Sequence, residues 1–556
     1  MTTRNSKILL GIILAAAAAG LYYGWIRFWF LTDDAFIAFR YASNSIDGLG
    51  YVWNPPPFKP VEGYTSFLWV IIVEYIWRIF GVIPPKSANV ISLGFSFMTI
   101  LLTAMIAWRM NLTKKLSYYR LIIIAAILLG TLSNRTFLAW SSSGLETAMF
   151  NFLVLWWIFI AVFAKKYNNN WRLLLTGTAS LVYLARPDGI LAILGTLAIV
   201  TASYINDHKQ KKINVRRFLS ILPLLIVPVH LLWRKFTYGE WLPNTYYAKY
   251  VAAWPESGLR YFASFVLEYA LWFWICLLLV LIASYIRNRK ASPASEILSL
   301  PQKSFNLCIV IIIIILHIGY YTLIIGGDHF EYRVYGYLIP LIFISFVWII
   351  NRMNFKPVTA AILFALFFLL SLPVPWTHWS LTHRFYSREQ THVMQVPIQD
   401  RFPGPFRWYA RWFDDLQSWL IQHHVCMRHQ EHKVFCRYLK QWYPSREEGG
   451  RIPFDGYPVM AKGSVGVPGW VFPHVAVIDR MGLNDYIIAR YNRRAREERL
   501  MAHDRMPPPG YLESLMINVS VPEMKKIEIL PRPRPLTGEM IRNIEKYWTE
   551  RINREK

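Results

Sequence analysis

Cysteine, acidic side chains and nucleotide-binding glycine patterns are all scarce or missing in this chain of 556 residues, which carries only four cysteines. Cys276 and Cys308 lie in apolar runs and read as core or lipid-facing residues. Cys426 and Cys436 lie in a hydrophilic tail, where a disulfide between them is open if the tail is external and two free thiols are the alternative. His423, His424, His429 and His432 surround them and raise a metal site, although no recognised ligand spacing is present. The absence of a P-loop or Rossmann glycine signature excludes those two nucleotide cradles. No internal repeat occurs, and repeats are a common mark of transporters. With 34 acidic against 60 basic residues the net charge is +26. Much of the excess sits in short loops, Arg109 to Arg120, Lys165 to Arg172, Lys209 to Arg217, Arg287 to Lys303 and Arg352 to Lys356. That placement marks the cytoplasmic face of a membrane protein and not a nucleic-acid surface.

What is abundant is apolar. The chain is 54% hydrophobic and 16% aromatic, with a mean hydropathy of +0.28, which predicts a polytopic α-helical membrane protein held in a lipid bilayer. Apolar runs fall at 8–30, 66–82, 88–108, 120–138, 147–164, 171–186, 189–205, 218–236, 263–285, 304–325, 335–350 and 357–374. The first continues through Tyr22, Trp25 and Phe30 with no clear cleavage site, so it reads as an uncleaved span. Alternating the basic loops inside places 139–146, 187–188, 237–262, 326–334 and the tail outside. The N-terminus breaks the alternation unless 66–82 or 88–108 is partial or re-entrant, which leaves about eleven spans. Residues 1–375 are thus expected to form a transmembrane module with a first external loop at 31–65. Residues 376–556 are expected to form an external α+β domain, with helices near Phe406–Leu420 and Met540–Arg554, strand-like pieces such as Gly469 to Ile478, and proline-rich loops at 507–510 and 531–535.

The external side collects polar residues at helix ends. They are Asp33 and Asp34 just past the first span, Glu62 and Tyr64, Ser141 to Glu146, Arg186 to Asp188, Trp241 to Lys249, and Gly326 to Arg333. A carboxylate there can take a proton from a hydroxyl nucleophile. Arg186, Lys249, His329 and Arg333 are candidates to hold a phosphate. Each motif also has a structural reading. The acidic pair can be solvated, Glu146 can pair with Arg135, and Arg186-Pro187-Asp188 can be a tight turn. Lys249 can snorkel, and Asp328, His329 and Arg333 can form a local ion-pair cluster. Convergence of five separate loops on one face favours chemistry.

At Thr32–Arg40, Val52–Asn54, Val61–Thr65, Ser142–Glu146, Arg186–Gly189, Leu242–Lys249, Gly326–Asp328, Val477–Asp485 and the His503, Pro507–Tyr511 block, the chain resembles the GT-C membrane glycosyltransferases. Within them it is most similar to relatives of mycobacterial terminal arabinofuranosyltransferase B. The resemblance implies an inverting enzyme of the cytoplasmic (inner) membrane, active on its external face. Such an enzyme moves a sugar from a polyprenyl-phosphate donor to an envelope glycan, glycolipid or protein. Asp33 or Asp34 would be the general base, and spacing leaves the choice open because neighbours on a helix point about 100° apart. Lys249, Arg333, His329 and Arg186 would face the donor phosphate. Glu62, Tyr64, Glu146, Asn244, Tyr247, Asp328, Asp485 and His503 would line the substrate site. A divalent cation, Mg or Mn, is expected in some such enzymes and not in others. An envelope polysaccharide or lipid transporter with a periplasmic domain is the alternative reading.

Overall fold

A computed structural model describes residues 3–209, 219–249, 252–288, 301–491 and 498–555. The basic loops expected around 210–218 and 289–300 lie outside the described residues. The chain is mainly helical. Among the described residues, five helices are long and apolar enough to cross a membrane: Asn5–Phe28, Pro84–Arg109, Pro187–Asn206, Gln302–Ile325 and Pro357–Thr382. Three shorter apolar helices, Arg120–Leu132, Thr147–Phe163 and Leu338–Arg352, pack among them.

The apolar runs do not translate into spans one for one. The run at 263–285 belongs to two helices, Pro255–Glu268 and Leu271–Arg287, bent by 92°. Ala270 adopts a left-handed φ of 49° at that corner, a conformation that ends a right-handed helix. The two early runs also differ. Helix α1 (Thr3–Phe28) is followed by α2 (Asp33–Ile46), α3 (Phe67–Phe80) and α4 (Pro84–Arg109). With 14 residues, α3 is about 21 Å long and falls short of a hydrocarbon core about 30 Å thick, whereas the 26 residues of α4 exceed it. The short segment is therefore 66–82.

Helix α2 is the hub of the site. Thr32 caps it, accepting from the Ala35 amide at 3.1 Å, and eleven of its 14 residues are buried. Its entry is pinned by the Ser141–Glu146 loop: the Thr32 amide donates to the Ser143 carbonyl (3.0 Å) and the Ser143 amide to the Phe30 carbonyl (3.1 Å). Ser143 and Gly144 both sit at positive φ, and the Gly144 amide donates to Asn89 Oδ1.

The tail holds the expected helices at Arg407–Gln422 and Gly538–Glu555, with the two proline-rich segments as loops. It has two small sheets: β1 (Val459–Lys462) parallel to β2 (Ala476–Asp479), and β3 (Val519–Glu523) antiparallel to β4 (Lys526–Ile529). The Gly469 to Ile478 stretch is only partly strand, since Gly466–Val471 is a short helix. One continuous apolar core runs from Ala17 in α1 to Val521 in β3, so the tail packs on the helical bundle and shares its core. Cys426 and Cys436 are both buried free thiols; the disulfide left open by the sequence is not formed.

Candidate active site

The two acidic neighbours at the start of α2 have different surroundings. Asp33 is 8% exposed and faces the tail, where its carboxylate accepts from the amides of Gly466 (3.2 Å) and Val467 (2.7 Å). Burial pushes its pKa up to about 7; the Val467 amide lowers it and Asp34 raises it further. This contact leaves no room for a side chain: a Cβ on Gly466 would lie 1.8 Å from the Asp33 carbonyl oxygen. Arg40, two turns further along the same face of α2, completes the clamp. Its guanidinium donates to the carbonyls of Trp53 (2.6 Å), Gly469 (2.6 Å), Phe472 (3.1 Å) and Val475 (2.8 Å).

Asp34 is half-buried and has no hydrogen-bond or ion-pair partner among the described residues. Lys249 is exposed and likewise has no hydrogen-bond or ion-pair partner among the described residues. Burial lowers the Lys249 pKa, the charges of Asp34 and Asp328 raise it, and those of Arg333 and Arg186 lower it again. Asp34, Lys249, Asp328, Arg333 and Arg186 therefore share one electrostatic space, which also reaches Glu146.

Most of the other cations there are already engaged. Arg186 donates to Glu146 (2.9 Å), Asp188 (3.1 Å) and the Tyr321 hydroxyl (2.8 Å). Glu146 thus pairs with Arg186 and not with Arg135, which joins Glu268, Glu331 and Arg428 in a buried network tying the bundle to the tail. Arg333 grips Asp328 through Nε (2.9 Å) and Nη2 (3.2 Å), leaving Nη1 without a partner among the described residues. His329 gives Nδ1 to the His424 carbonyl contact (2.7 Å) and packs against His432 and His503 at ring separations of 5.2 Å. Burial holds its pKa well below the usual imidazole value, with His432 and His503 adding to the depression, so the ring is neutral near pH 7. Among the described residues, no three His, Cys, Asp or Glu side chains are arranged to hold a metal ion.

The remaining candidates have partners of their own. Glu62 makes a buried bidentate pair with Arg234, 3.2 Å through Nη2, and its own carbonyl accepts from the Asn244 amide (2.9 Å). Tyr64 meets the Tyr238 hydroxyl at 3.2 Å. The Asn244 side chain staples the loop to the tail, donating to the carbonyls of Gly482, Leu483 and Asp485 at 2.9–3.1 Å. Asp485 caps the short helix Tyr486–Arg490 and accepts from the Tyr511 hydroxyl (2.9 Å). Tyr247 donates to Glu240 (3.1 Å) and lies under the Arg490 guanidinium.

Two connections had no sequence signal. Arg505 donates to the carbonyls of Tyr247 (2.9 Å) and Ala248 (3.1 Å), fixing the turn that carries Lys249. Residues 326–331 also zip along the tail: the amides of Cys426 and Met427 donate to the carbonyls of Asp328 and His329. Backbone contacts between segments almost a hundred residues apart leave no mark in local composition.

Comparison with known proteins yields little. No family model matches the chain, and no curated protein matches it. Among solved structures, ArnT from Cupriavidus metallidurans, bound to undecaprenyl phosphate, aligns over 95% of this chain and 98% of its own. The identity is 10% and the TM-score 0.49. A likeness that weak does not establish a shared fold, and the site rests on its own geometry.

Proposed function

We propose that this protein is an inverting glycosyltransferase that takes its sugar from a polyprenyl-phosphate donor and passes it to a hydroxyl of an envelope glycan, glycolipid or protein on the external membrane face. The observation that carries the proposal is that an unengaged carboxylate, Asp34, and an unengaged ammonium, Lys249, lie close enough for the charge of one to act on the other, each without a partner among the described residues. A carboxylate and an ammonium that are not neutralised by each other are what a reaction needs when it both removes a proton and releases a phosphate.

Asp34 is the base. It accepts the acceptor hydroxyl proton as that oxygen attacks the anomeric carbon, and the bond from that carbon to the phosphate oxygen breaks. The lipid phosphate leaves with the electron pair. Lys249 and the free Nη1 of Arg333 stabilise the charge that develops on it, and no acid is required. Asp33, Arg186 and His329 are positioning residues in this scheme, because their polar atoms are committed to Gly466 and Val467, to Glu146 and Asp188, and to His424. Glu146, Asp328, Tyr64, Tyr247, Asn244, Asp485 and His503 shape the space for the sugars.

The test is mass spectrometry of membrane glycans and glycolipids from a strain lacking the gene. The expected result is loss of one sugar from an envelope glycan together with accumulation of its polyprenyl-phosphate donor, restored by the wild-type gene and not by Asp34→Asn. Unchanged glycans and donor pools would contradict the proposal.

A further inference from the structure

Away from that site, a groove of about 670 Å³ runs along the C-terminal end of α1. One wall is aromatic and belongs to α1, where Trp25 and Trp29 stand at the level at which the span Asn5–Phe28 ends. Tryptophan favours that depth, the boundary between hydrocarbon and headgroups. The Trp25 indole is held in place by its hydrogen bond to the Asn89 carbonyl, 3.1 Å.

The opposite wall is basic. The tail helix His429–Trp442 presents Lys433, Arg437 and Lys440 to the groove. Their i, i+4, i+7 spacing puts three cations on one helical face. None has an ion-pair partner among the described residues, and the charge of Arg437 disfavours that of Lys433. Three like charges on one face repel one another; water and salt screen the exposed Arg437 and Lys440 in part, and an anion between the three would relieve the rest. The floor is closed by buried Phe30, Leu31 and Cys436, so an occupant stays at the surface and does not pass through to Asp34.

We propose that this groove binds the phosphate headgroup of an anionic phospholipid of the surrounding bilayer, with its acyl chains along the exposed flank of α1. The lipid would join the first span to the tail at the membrane boundary. This inference is independent of the transfer chemistry, since counting bound lipid needs no turnover.

Native mass spectrometry of the full-length protein, with added phosphatidylglycerol or phosphatidylcholine, tests it. Wild type is expected to retain one phosphatidylglycerol at about tenfold lower concentration than phosphatidylcholine. The triple variant Lys433→Gln, Arg437→Gln, Lys440→Gln is expected to lose that preference. The pair Lys433→Arg, Lys440→Arg keeps it. If the triple variant does not fold, Arg437→Gln alone is expected to reduce retention severalfold. Equal retention of the two lipids by wild type, or undiminished preference in the variants, would overturn the proposal. Displacement of phosphatidylglycerol by inorganic phosphate would also overturn it, assigning the groove to a free anion. Stronger retention of a polyprenyl phosphate than of phosphatidylglycerol would overturn it as well, in favour of that lipid.

Discussion

Helix α2 has two polar faces that were built for different ends. On the face toward the tail, Asp33 and Arg40 have their polar atoms occupied, by two backbone amides in one case and four backbone carbonyls in the other. Its neighbour Asp34 has no partner among the described residues, and neither has Lys249, whose charge it influences. A satisfied buried group fixes geometry, whereas an unsatisfied one keeps its capacity for a ligand. Two adjacent residues of one type thus differ in what each is already bonded to, and on the proposed function the first is the scaffold group and the second the reactive one.

That comparison can be broken most easily on its open face. Lys249→Ala is expected to lower the transfer rate by about a hundredfold, the usual loss when one donor to a developing oxyanion is removed. Its melting temperature should match wild type, because no folded-state contact is lost. Lys249→Arg should recover part of the rate. A steady-state assay with a defined polyprenyl-phosphate sugar, paired with thermal melting, checks all three outcomes.

On the closed face the expected effects appear as stability. Arg40→Met leaves four buried carbonyls without their donor, and the loss should be about 3 kcal/mol or more. Activity should fall only in step with the folded fraction, read from melting curves and from activity per folded molecule. Gly466→Ala tests the same contact sterically. Its Cβ has no space beside the Asp33 carbonyl, and the expected cost is about 1–3 kcal/mol, measured in the same way.

The smallest effect concerns pH. The folded-state pKa of Asp33, about 7, lies above its ordinary value of 3.8. Its contribution to stability is therefore full below about pH 4 and is lost as pH rises through 7. Asp33→Asn has no such titration. The melting temperature of wild type relative to Asp33→Asn should fall by ~2–4 °C between pH 5 and pH 8. A constant difference across that range would show that Asp33 is not the buried group described.

How much of this was legible in the sequence depends on the distance over which each contact acts. The apolar helices, the acidic pair, the lysine at 249 and the charged loop at 326–333 were visible because apolar runs, helix ends and short charged motifs are local patterns. The break at Ala270 and the short α3 were not, since a bend or a truncated helix has the same composition as a span. The division of labour between Asp33 and Asp34 was also hidden. It depends on Gly466 and Val467, more than four hundred residues away, which reach Asp33 only when the tail folds over α2. The Arg505 clamp on Tyr247 and Ala248 is hidden for the same reason. Glu146 shows the limit in reverse: Arg135 is its near neighbour in sequence, but Arg186 is its partner in space.

The most direct test compares Asp33→Asn and Asp34→Asn in one preparation, with transfer rate and melting curve measured on both. Asp34→Asn is expected to melt like wild type and to lose at least about a thousandfold in rate, as removal of an essential base does. Asp33→Asn is expected to retain a measurable rate and to show an altered melting curve. A fully active Asp34→Asn variant would contradict the account.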